Sequence, residues 1–411
     1  MRRWLDDLEE YAIEVILDRR HGFRAALLRG ILRCLSCVYL AGVQTRLYLY
    51  RKRVVRERQL GCLVISIGNL TVGGTGKTPV VEKFARALQK GGRRVAILSR
   101  GYKSIDARKR RTWWERLLRQ GMEQPPRIVS DGRSVLLDAS GAGDEPFMLA
   151  SNLAGVAVVV DKDRVKAGLY AIKELDVDTL LLDDGLQYLH LKHRLDIVLV
   201  DRQAPFGNEH LLPRGTLREP PRNLRRASYI FITKCDGTSN TDLIARIRRY
   251  NRTAEIIECT HKPLYLRHVY QDERLPLEYL RDRYIGALCG IAAPESFEEG
   301  LRRLGARIEV SRHFADHHRY HERELTSFLQ RCVRRDVSAV ITTEKDAVRF
   351  PTIAALPLPI YYLRVEIEIV GGHETWDQCV QRICYPPVLR QDSALLAPEL
   401  QPADRKIFGD R

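Results

Sequence analysis

The chain has 411 residues, of which 45% are hydrophobic and 29% are charged. This composition excludes a disordered chain, and the length suffices for two domains with a buried core. The formal net charge of +16 predicts an acidic partner: a nucleic acid, an anionic membrane surface or a phosphorylated substrate. Nine cysteines at irregular spacing are typical of a reducing compartment.

The first predicted element is a basic amphipathic helix. Residues 19–58 hold eleven arginines and lysines against one acid, Glu57, and apolar residues recur at helical spacing over 23–43. Arg33 and Arg46 interrupt this run, which therefore differs from a spanning helix of about 20 uncharged residues. Two interpretations stay open: a helix lying in a membrane interface beside anionic headgroups, or a helix packed on the protein's own core.

Two further features of the N-terminal region concern targeting and metal binding. Residues 1–20 are acidic and lack an apolar run with a cleavage site, so no signal peptide is predicted. Cys34 and Cys37 form a C-x-x-C, but no second pair lies at the spacing of a zinc site. Because their flanks are apolar and helical, we predict that both thiols pack inside the protein.

From residue 63 onward, short β-rich runs alternate with helical patterns. The predicted strands of a first unit cover residues 63–68, 94–100, 156–161, 179–184, 197–201 and 229–233. This alternation predicts an α/β fold with a parallel sheet covered on both faces, in which ligands bind at the carboxyl ends of the strands. The predicted strands of a second, smaller α/β unit cover residues 285–292, 308–314, 339–343 and 360–365.

These patterns divide the chain into four parts. We predict a basic helical region at 1–60, a first α/β domain at 61–250, a smaller α/β domain at 251–385 and a flexible tail at 386–411. Within the first domain, the basic segment 104–126 carries two tryptophans. This segment is either a solvated surface excursion or a second membrane contact.

The end of the first predicted strand carries a strong functional motif. Six residues form a glycine-rich turn that leads into a helix near Pro79: Gly73, Gly74, Thr75, Gly76, Lys77 and Thr78. Such glycines let backbone amides approach phosphate oxygens, the lysine reaches the β- and γ-phosphates, and the threonine hydroxyl ligates Mg²⁺. Thr71 stands where the generic phosphate loop (P-loop) has glycine. The motif nevertheless predicts a nucleoside triphosphate site.

A second motif ends the strand predicted at 179–184, where Asp183 and Asp184 follow an apolar run. Adjacent carboxylates at the carboxyl end of a strand repel each other unless a cation or hydrogen bonds offset their charge. Beside a P-loop, magnesium is the natural cation. We therefore predict that both aspartates serve the metal of the nucleotide.

Two weaker motifs keep another interpretation open. Residues 233–236 (TKCD) resemble the guanine-reading element of GTPases, and His317, His318 and His321 form a cluster next to Asp316. His317 and His321 have the spacing of metal ligands on a helix, whereas a histidine beside Asp316 can also relay a proton or be exposed. These motifs support a soluble P-loop GTPase of the metallochaperone type. The net charge alone supports a nucleic-acid-binding protein.

Together the motifs resemble one family, the tetraacyldisaccharide 4′-kinases, which phosphorylate a lipid A precursor. Seven segments carry the resemblance in family order: SIGNLTVGGTGKTP (66–79), SRGY (99–102), GDEPFMLA (143–150), LLDDGLQ (181–187), LLPRGTLREP (211–220), FADHHRY (314–320) and TTEKDAVR (342–349). Thr71 is usual in this family's version of the loop. The chain departs from the family pattern at Leu186 and in the long insertion after Tyr102.

The resemblance implies roles at the nucleotide. The glycine-rich turn would hold ATP, with Lys77 on its phosphates and Thr78 on Mg²⁺. Asp183 and Asp184 would organise the metal, helped by Glu219.

The resemblance also implies roles at the acceptor. Asp144 and His317 would form a base dyad for the sugar 4′-hydroxyl, and either member could take the proton because coupled groups titrate as a pair. Asn69, Gln187 and Tyr102 would lie near the nucleotide or the substrate.

For the whole chain, the resemblance implies ATP- and Mg²⁺-dependent phosphorylation of the 4′-hydroxyl of a tetraacyldisaccharide 1-phosphate. The implied fold is a P-loop α/β domain with a smaller α/β domain closing over a cleft, in agreement with the predicted strands. The implied partners are the lipid A disaccharide precursor and the anionic surface of the inner membrane, on its cytoplasmic face, with no nucleic acid. We also expect a monomer.

Overall fold

The computed structural model describes residues 11–101, 125–353 and 355–385. Tyr102, nearly all of the 104–126 insertion and the tail predicted at 386–411 lie outside the described residues. The role of Tyr102, the two interpretations of the insertion and the flexibility of the tail therefore stay predictions.

Strands and helices alternate along most of the described chain. The strands are β1 (Leu63–Asn69), β2 (Val95–Ser99), β3 (Arg127–Asp131), β4 (Ala157–Val160), β5 (Thr179–Asp183), β6 (Leu195–Asp201), β7 (Tyr229–Thr233), β8 (Glu255–His268), β9 (Arg274–Leu275), β10 (Tyr284–Cys289), β11 (Arg307–His313), β12 (Ala339–Thr343) and β13 (Ile360–Gly371). The helices are α1 (Phe23–Arg51), α2 (Lys77–Lys90), α3 (Ala139–Ala142), α4 (Asp144–Asn152), α5 (Arg164–Glu174), α6 (Thr241–Arg248), α7 (Pro294–Arg303), α8 (Glu322–Val333), α9 (Glu344–Ala347) and α10 (His373–Cys384).

All of these strands belong to one sheet, ordered β11-β10-β12-β13-β8-β7-β6-β1-β5-β2-β4-β3, with β9 paired to β8. In the described chain, neighbouring strands run parallel except in the pairs β3–β4, β8–β9 and β8–β13. Strand β1 lies between β5 and β6, so Ile67 pairs with Asp183 on one side and with Ile197 on the other. The P-loop after β1 and the carboxylates after β5 therefore leave the sheet at the same edge.

The central strands are buried on both faces because their sequences are nearly continuous apolar runs. Every residue of β2, β4, β5 and β7 is buried. Helix α2 covers one face with an apolar stripe in which Phe84 packs edge-on against Phe231 and Trp376, at centroid distances of 5.5 and 4.7 Å. This stripe fixes the direction of α2, which begins with Lys77 and Thr78 at the functional edge of the sheet.

The second group of strands continues the same sheet. Strand β8 is 14 residues long and pairs with β7 at its start and with β13 along the rest of its length. Strands β12, β10 and β11 follow β13 in parallel. Because the β8–β13 pair joins the two groups, α2 contacts β13, and α4 contacts α9.

Strand β8 was not among the runs predicted from the sequence, and it contains Pro263, a residue type that is rare inside strands. The structure accommodates Pro263 at a shift in register, between the pairs Arg364–Tyr265 and Val365–Pro263. The predicted strand at 360–365 is likewise six residues too short, since β13 continues to Gly371 along β8.

Helix α1 spans 29 residues and is long and apolar enough to cross a membrane, although core helices and N-terminal signal sequences share that composition. Ala25 is the buried residue of this helix, whereas Phe23 and Val38 are 85% and 72% exposed. Cys34 and Cys37 are also exposed, so the prediction that both thiols pack inside the protein was wrong. Both thiols lie on the side of α1 that is exposed in the described part of the chain.

The opposite face of α1 contacts the segment 211–218. Ser36 Oγ donates a hydrogen bond to the Leu211 carbonyl at 2.9 Å, and Tyr39 Oη donates to the Arg218 carbonyl at 3.0 Å. The helix is therefore held to the protein by polar contacts, while much of its predicted apolar face lies open.

Candidate active site

The P-loop is tied down by hydroxyl and amide groups. Asn69 Nδ2 donates to Thr75 Oγ1 at 2.9 Å and to Thr71 Oγ1 at 3.3 Å, and Thr233 Oγ1 donates to the Thr75 carbonyl at 3.0 Å. Thr71 and Thr75 are both buried. The threonine that replaces the generic glycine thus supplies a hydroxyl that anchors the start of the loop.

Two glycines of the loop take left-handed backbone angles, Gly73 with φ 110° and Gly76 with φ 77°. Gly76 immediately precedes Lys77, the first residue of α2, so the helix begins two positions before the start predicted near Pro79. A Cβ on Gly76 would lie 2.8 Å from the imidazole of His261. Burial, together with the charge of Lys234, lowers the pKa of His261 to about 4, so a neutral imidazole packs against the loop.

Lys77 is the first residue of α2, and its side chain extends toward Asp184 at the end of β5. Its Nζ lies 3.4 Å from Asn69 Oδ1 and 3.7 Å from Asp184 Oδ1. Thr78 follows as the second residue of the helix and is half-buried. The cation and the hydroxyl that the motif predicts therefore lie at the helix N-terminus, where the backbone dipole favours anions.

Asp183 and Asp184 end β5 in different environments. Asp183 is buried, accepts from Ser99 Oγ at 3.3 Å, and within the described residues its Oδ1 has no hydrogen-bond partner. Burial and the charges of Glu145 and Asp184 raise the pKa of Asp183 to about 7. Although burial alone would raise the pKa of Asp184, Lys77 and then Arg218 lower it below its ordinary value.

The LREP segment supplies two more groups. Arg218 Nη1 donates to both oxygens of Asp184, at 2.9 and 2.7 Å. Glu219 is buried and accepts from Arg226 at 2.7 Å and from Gln187 Nε2 at 3.2 Å. Gln187 also donates to the Asn69 carbonyl at 3.0 Å. The structure thus brings together at the P-loop the predicted residues of three separate segments.

The oxygen donors at this edge fit a hard cation such as Mg²⁺. The unpartnered Asp183 Oδ1 is a buried oxygen that a cation would satisfy, and the Thr78 hydroxyl lies on the adjacent helix end. Asp184 and Glu219 are each paired with an arginine. Among the residues that the structure describes, no three His, Cys, Asp or Glu side chains form a ready metal cluster.

Asp144 and His317, which the resemblance predicts to be a base dyad, are in contact. Asp144 is the first residue of α4, and His317 lies in the turn after β11 with a left-handed φ of 63°. His317 Nδ1 lies 3.1 Å from Asp144 Oδ2. Because an ionised carboxylate only accepts, Nδ1 donates this hydrogen bond and Nε2 keeps its lone pair.

Three charged neighbours surround this pair. Arg349 Nε donates to Asp144 Oδ2 at 2.7 Å, and Lys345 Nζ lies 3.2 Å from His317 Nε2. Lys345 also lies 3.7 Å from Glu145, whose charge acts on Asp183. Lys345 and Glu145 therefore link the dyad electrostatically to the phosphate edge.

No role was predicted from the sequence for four residues of the site: Arg349, Lys345, Arg218 and His261. The first three lie in TTEKDAVR and LREP, two segments that carried the resemblance. The sequence therefore pointed to these segments but not to the individual residues. Their roles depend on which side chains the fold brings together, which spacing does not show. His261 lay in no quoted motif.

The motifs behind the alternative interpretation have other partners in the structure. Lys234 pairs with Asp201 at 2.5 Å, and Asp236 of the TKCD element pairs with Arg202 at 2.7 Å. His318 Nε2 lies 3.0 Å from Glu324 Oε2, and His321 caps α8. The segment before α8 is not helical, so the helical spacing proposed for metal ligation does not arise.

Comparisons with known proteins agree with this geometry. A family model described as tetraacyldisaccharide-1-P 4′-kinase matches residues 28–384. The tetraacyldisaccharide 4′-kinase of Anaeromyxobacter dehalogenans is 39% identical over 358 residues, covering 86% of this chain and 90% of its own. The enzyme of the same name from Geobacter sulfurreducens is 38% identical over 346 residues, covering 84% and 91%.

A solved structure is also similar. The crystal structure of LpxK from Aquifex aeolicus in complex with ATP is 28% identical, with a TM-score of 0.67, and the match covers 87% of this chain and 100% of that one. These matches favour the kinase interpretation over a GTPase of the metallochaperone type. The chain belongs to the tetraacyldisaccharide-1-P 4′-kinase family.

Proposed function

We infer that this chain transfers the γ-phosphoryl group of ATP to the 4′-hydroxyl of a tetraacyldisaccharide 1-phosphate in lipid A biosynthesis. The observation that carries the inference is a P-loop, with Lys77 near Asp184, together with an Asp144–His317 pair whose neighbours Lys345 and Glu145 link it electrostatically to Asp183. A P-loop holds a triphosphate, and a carboxylate–histidine pair takes the proton of an attacking hydroxyl. Family membership supplies the identity of the acceptor.

At the donor end, the backbone amides of the glycine-rich loop and the N-terminus of α2 would bind phosphate oxygens. Lys77 would offset the charge of the β- and γ-phosphates, which its position at the start of α2 supports. Asn69 and Gln187 would keep the loop in shape, since Gln187 bonds the Asn69 carbonyl and Asn69 bonds the two threonines.

We propose that Thr78, Asp183, Asp184 and Glu219 hold Mg²⁺. When bound, the metal supplies a positive charge that stabilises the transferred phosphoryl group. A carboxylate can accept from an arginine and still use its remaining lone pairs, so the ion pairs of Asp184 and Glu219 are compatible with this role. These ion pairs would hold both carboxylates in a fixed direction.

At the acceptor end, the Asp144–His317 pair would take the proton of the 4′-hydroxyl. The hydroxyl oxygen forms a bond to the γ-phosphorus as the bond from that phosphorus to the bridging oxygen of ADP breaks. Because His317 Nδ1 donates to Asp144, the pair can share the positive charge that the proton brings.

We propose that the protein acts as a peripheral monomer at the cytoplasmic face of the inner membrane. The exposed apolar residues Phe23, Leu27 and Val38 support an interfacial position for α1, where nearby arginines would meet anionic headgroups. The acceptor is a lipid, and no nucleic acid is required. We also propose that residues 61–250 bind the nucleotide and that residues 251–385 form the smaller domain over the cleft.

The direct test is phosphate transfer by the purified full chain. We expect labelled phosphate from γ-labelled ATP to appear at the 4′-position of tetraacyldisaccharide 1-phosphate in mixed micelles with Mg²⁺. An acceptor that lacks the 4′-hydroxyl is the matched control and should stay unlabelled. Hydrolysis of GTP without transfer to lipid would support the GTPase alternative instead.

A further inference from the structure

Arg349 is a buried arginine that contacts both members of the dyad. It lies two residues beyond α9, and its side chain is 3% exposed. Its Nε donates to Asp144 Oδ2 at 2.7 Å, and its Nη2 lies 3.2 Å from His317 Nδ1. One guanidinium therefore lies against the carboxylate and the imidazole that would remove the hydroxyl proton.

Asp346 anchors this guanidinium from within the protein. Arg349 Nη1 donates to Asp346 Oδ1 at 3.2 Å. The fully buried Asp346 also accepts from the Tyr320 hydroxyl at 2.9 Å, Thr343 Oγ1 at 2.6 Å and the Gly290 amide at 3.0 Å. With both of its oxygens engaged, the carboxylate cannot turn, so it fixes the direction in which Arg349 points.

The charge of Arg349 acts on the dyad directly. Burial alone would raise the pKa of Asp144, but its hydrogen bond with His317 and the charge of Arg349 lower it below its ordinary value. Three other charged groups lie near the pair: Lys345 on α9, Asp316 beside His317 in the same turn, and Glu145 beside Asp144 on α4. Lys345 divides its contacts among His317, Asp316 and Glu145, whereas Arg349 contacts Asp144 itself.

We propose that Arg349 is a positioning residue for phosphoryl transfer, which orients the Asp144–His317 dyad and keeps it deprotonated and ready to accept the hydroxyl proton. This inference rests on the proposed function, since it requires that the dyad act as the base. A purely structural arginine would join α9 to α4 and leave the titration of the dyad unchanged. The two roles therefore differ in the pH dependence of the reaction.

The test compares Arg349→Gln and Arg349→Lys with the wild type, using kcat/KM for the lipid acceptor as a function of pH. Loss of the cation in Arg349→Gln should raise the pKa of the dyad, moving the acid limb upward by about one pH unit or more. At neutral pH we expect kcat/KM to fall by about 10-fold or more, with KM for ATP unchanged. Arg349→Lys keeps the charge, so its acid limb should stay near that of the wild type while kcat falls.

An unmoved acid limb in folded Arg349→Gln would overturn the proposal. If that variant does not fold, Arg349→Lys decides: a reduced kcat at unchanged KM for ATP supports the proposal, and a wild-type kcat overturns it. Arg303→Gln, which removes an exposed pair with Glu299, should leave the profile unchanged. A wild-type chain that transfers no phosphate to the lipid would defeat the proposed function itself, a result distinct from failure of the Arg349 assignment.

Discussion

Asp183 and Asp184 are neighbours in the chain, yet their pKa values move in opposite directions. Asp183 stays in line with β5, buried and close to Glu145, and one of its oxygens has no partner among the described residues. Asp184 takes a left-handed φ of 55° and lies against Arg218 and Lys77. One change of backbone direction thus gives adjacent aspartates different electrostatic environments.

Gly76 shows how tightly the loop depends on a single backbone position. We predict that Gly76→Ala weakens ATP binding by about 10-fold or more, because alanine would strain the left-handed backbone and collide with His261. Calorimetric titration with ATP measures the change. Gly300→Ala, where a new Cβ meets no described atom within 4 Å, is the control.

The double variant Gly76→Ala/His261→Ala separates the two causes. Removal of the imidazole should restore part of the affinity if the collision matters, and should restore none if backbone strain alone is responsible. Wild-type affinity in the single variant would show that the loop tolerates a side chain at this position.

At the residue scale, the sequence predicts those sites whose residues are neighbours in the chain. The six loop residues lie side by side, so the phosphate site could be predicted from spacing and chemistry alone. Asp144 and Arg349 lie 205 residues apart, and no periodicity relates them. Asp144 and His317 were paired only through the family resemblance, and Arg349 emerged only from the packing of α9 against α4.

At the scale of elements, a buried ion network joins the donor and acceptor helices. Arg364 on β13 contacts Glu82 on α2 and donates to Glu344, the first residue of α9, at 2.8 Å. Asn152, the last residue of α4, donates to Glu344 at 2.7 Å. Helices α2 and α4 begin with Lys77 and Asp144, and α9 carries Lys345, so the network fixes the phosphate site relative to the dyad.

We predict that Arg364→Met destabilises the protein by about 3–5 kcal/mol, because it leaves the buried Glu344 without its cation and leaves Glu82 with Arg86 alone. The free energy of unfolding in urea measures this loss. The triple variant Glu82→Gln/Glu344→Gln/Arg364→Met should recover most of it, since both buried carboxylates are removed together with their cation. Wild-type stability in the single variant would mean that the network contributes little to the fold.

This network also marks a limit of prediction at the element scale. The strands of the first unit were predicted because each is a continuous apolar run, but Arg364 and Glu82 lie 282 residues apart. Their contact exists because β8 and β13 pair along most of their length, and β8 was not predicted from the sequence. Charged residues on separate elements carry no local signal of their pairing.

At the scale of the whole molecule, α1 lies close to the catalytic edge. Its Tyr39 hydroxyl bonds the Arg218 carbonyl, and the Arg218 side chain bonds Asp184. The exposed apolar face of the same helix points away from these contacts. A membrane bound to that face would hold a lipid acceptor near the P-loop.

We predict that the full chain binds anionic vesicles through this exposed face. Leu27→Gln/Ile31→Gln/Val38→Gln should weaken binding by about 10-fold or more, because each substitution removes apolar surface from the interface. Vesicle sedimentation measures the bound fraction. Leu169→Gln, at a similarly exposed apolar residue on α5, is the control, and equal sedimentation of all variants would rule out the interfacial position.

Replacement of Lys77 by alanine is the sharpest test of whether the P-loop drives phosphate transfer to the lipid. Lys90→Ala, at the exposed far end of the same helix, is the matched control. We predict that Lys77→Ala stays folded and loses transfer to the 4′-hydroxyl by about 100-fold or more, while Lys90→Ala keeps wild-type transfer. Undiminished transfer by folded Lys77→Ala would show that the P-loop does not drive the reaction.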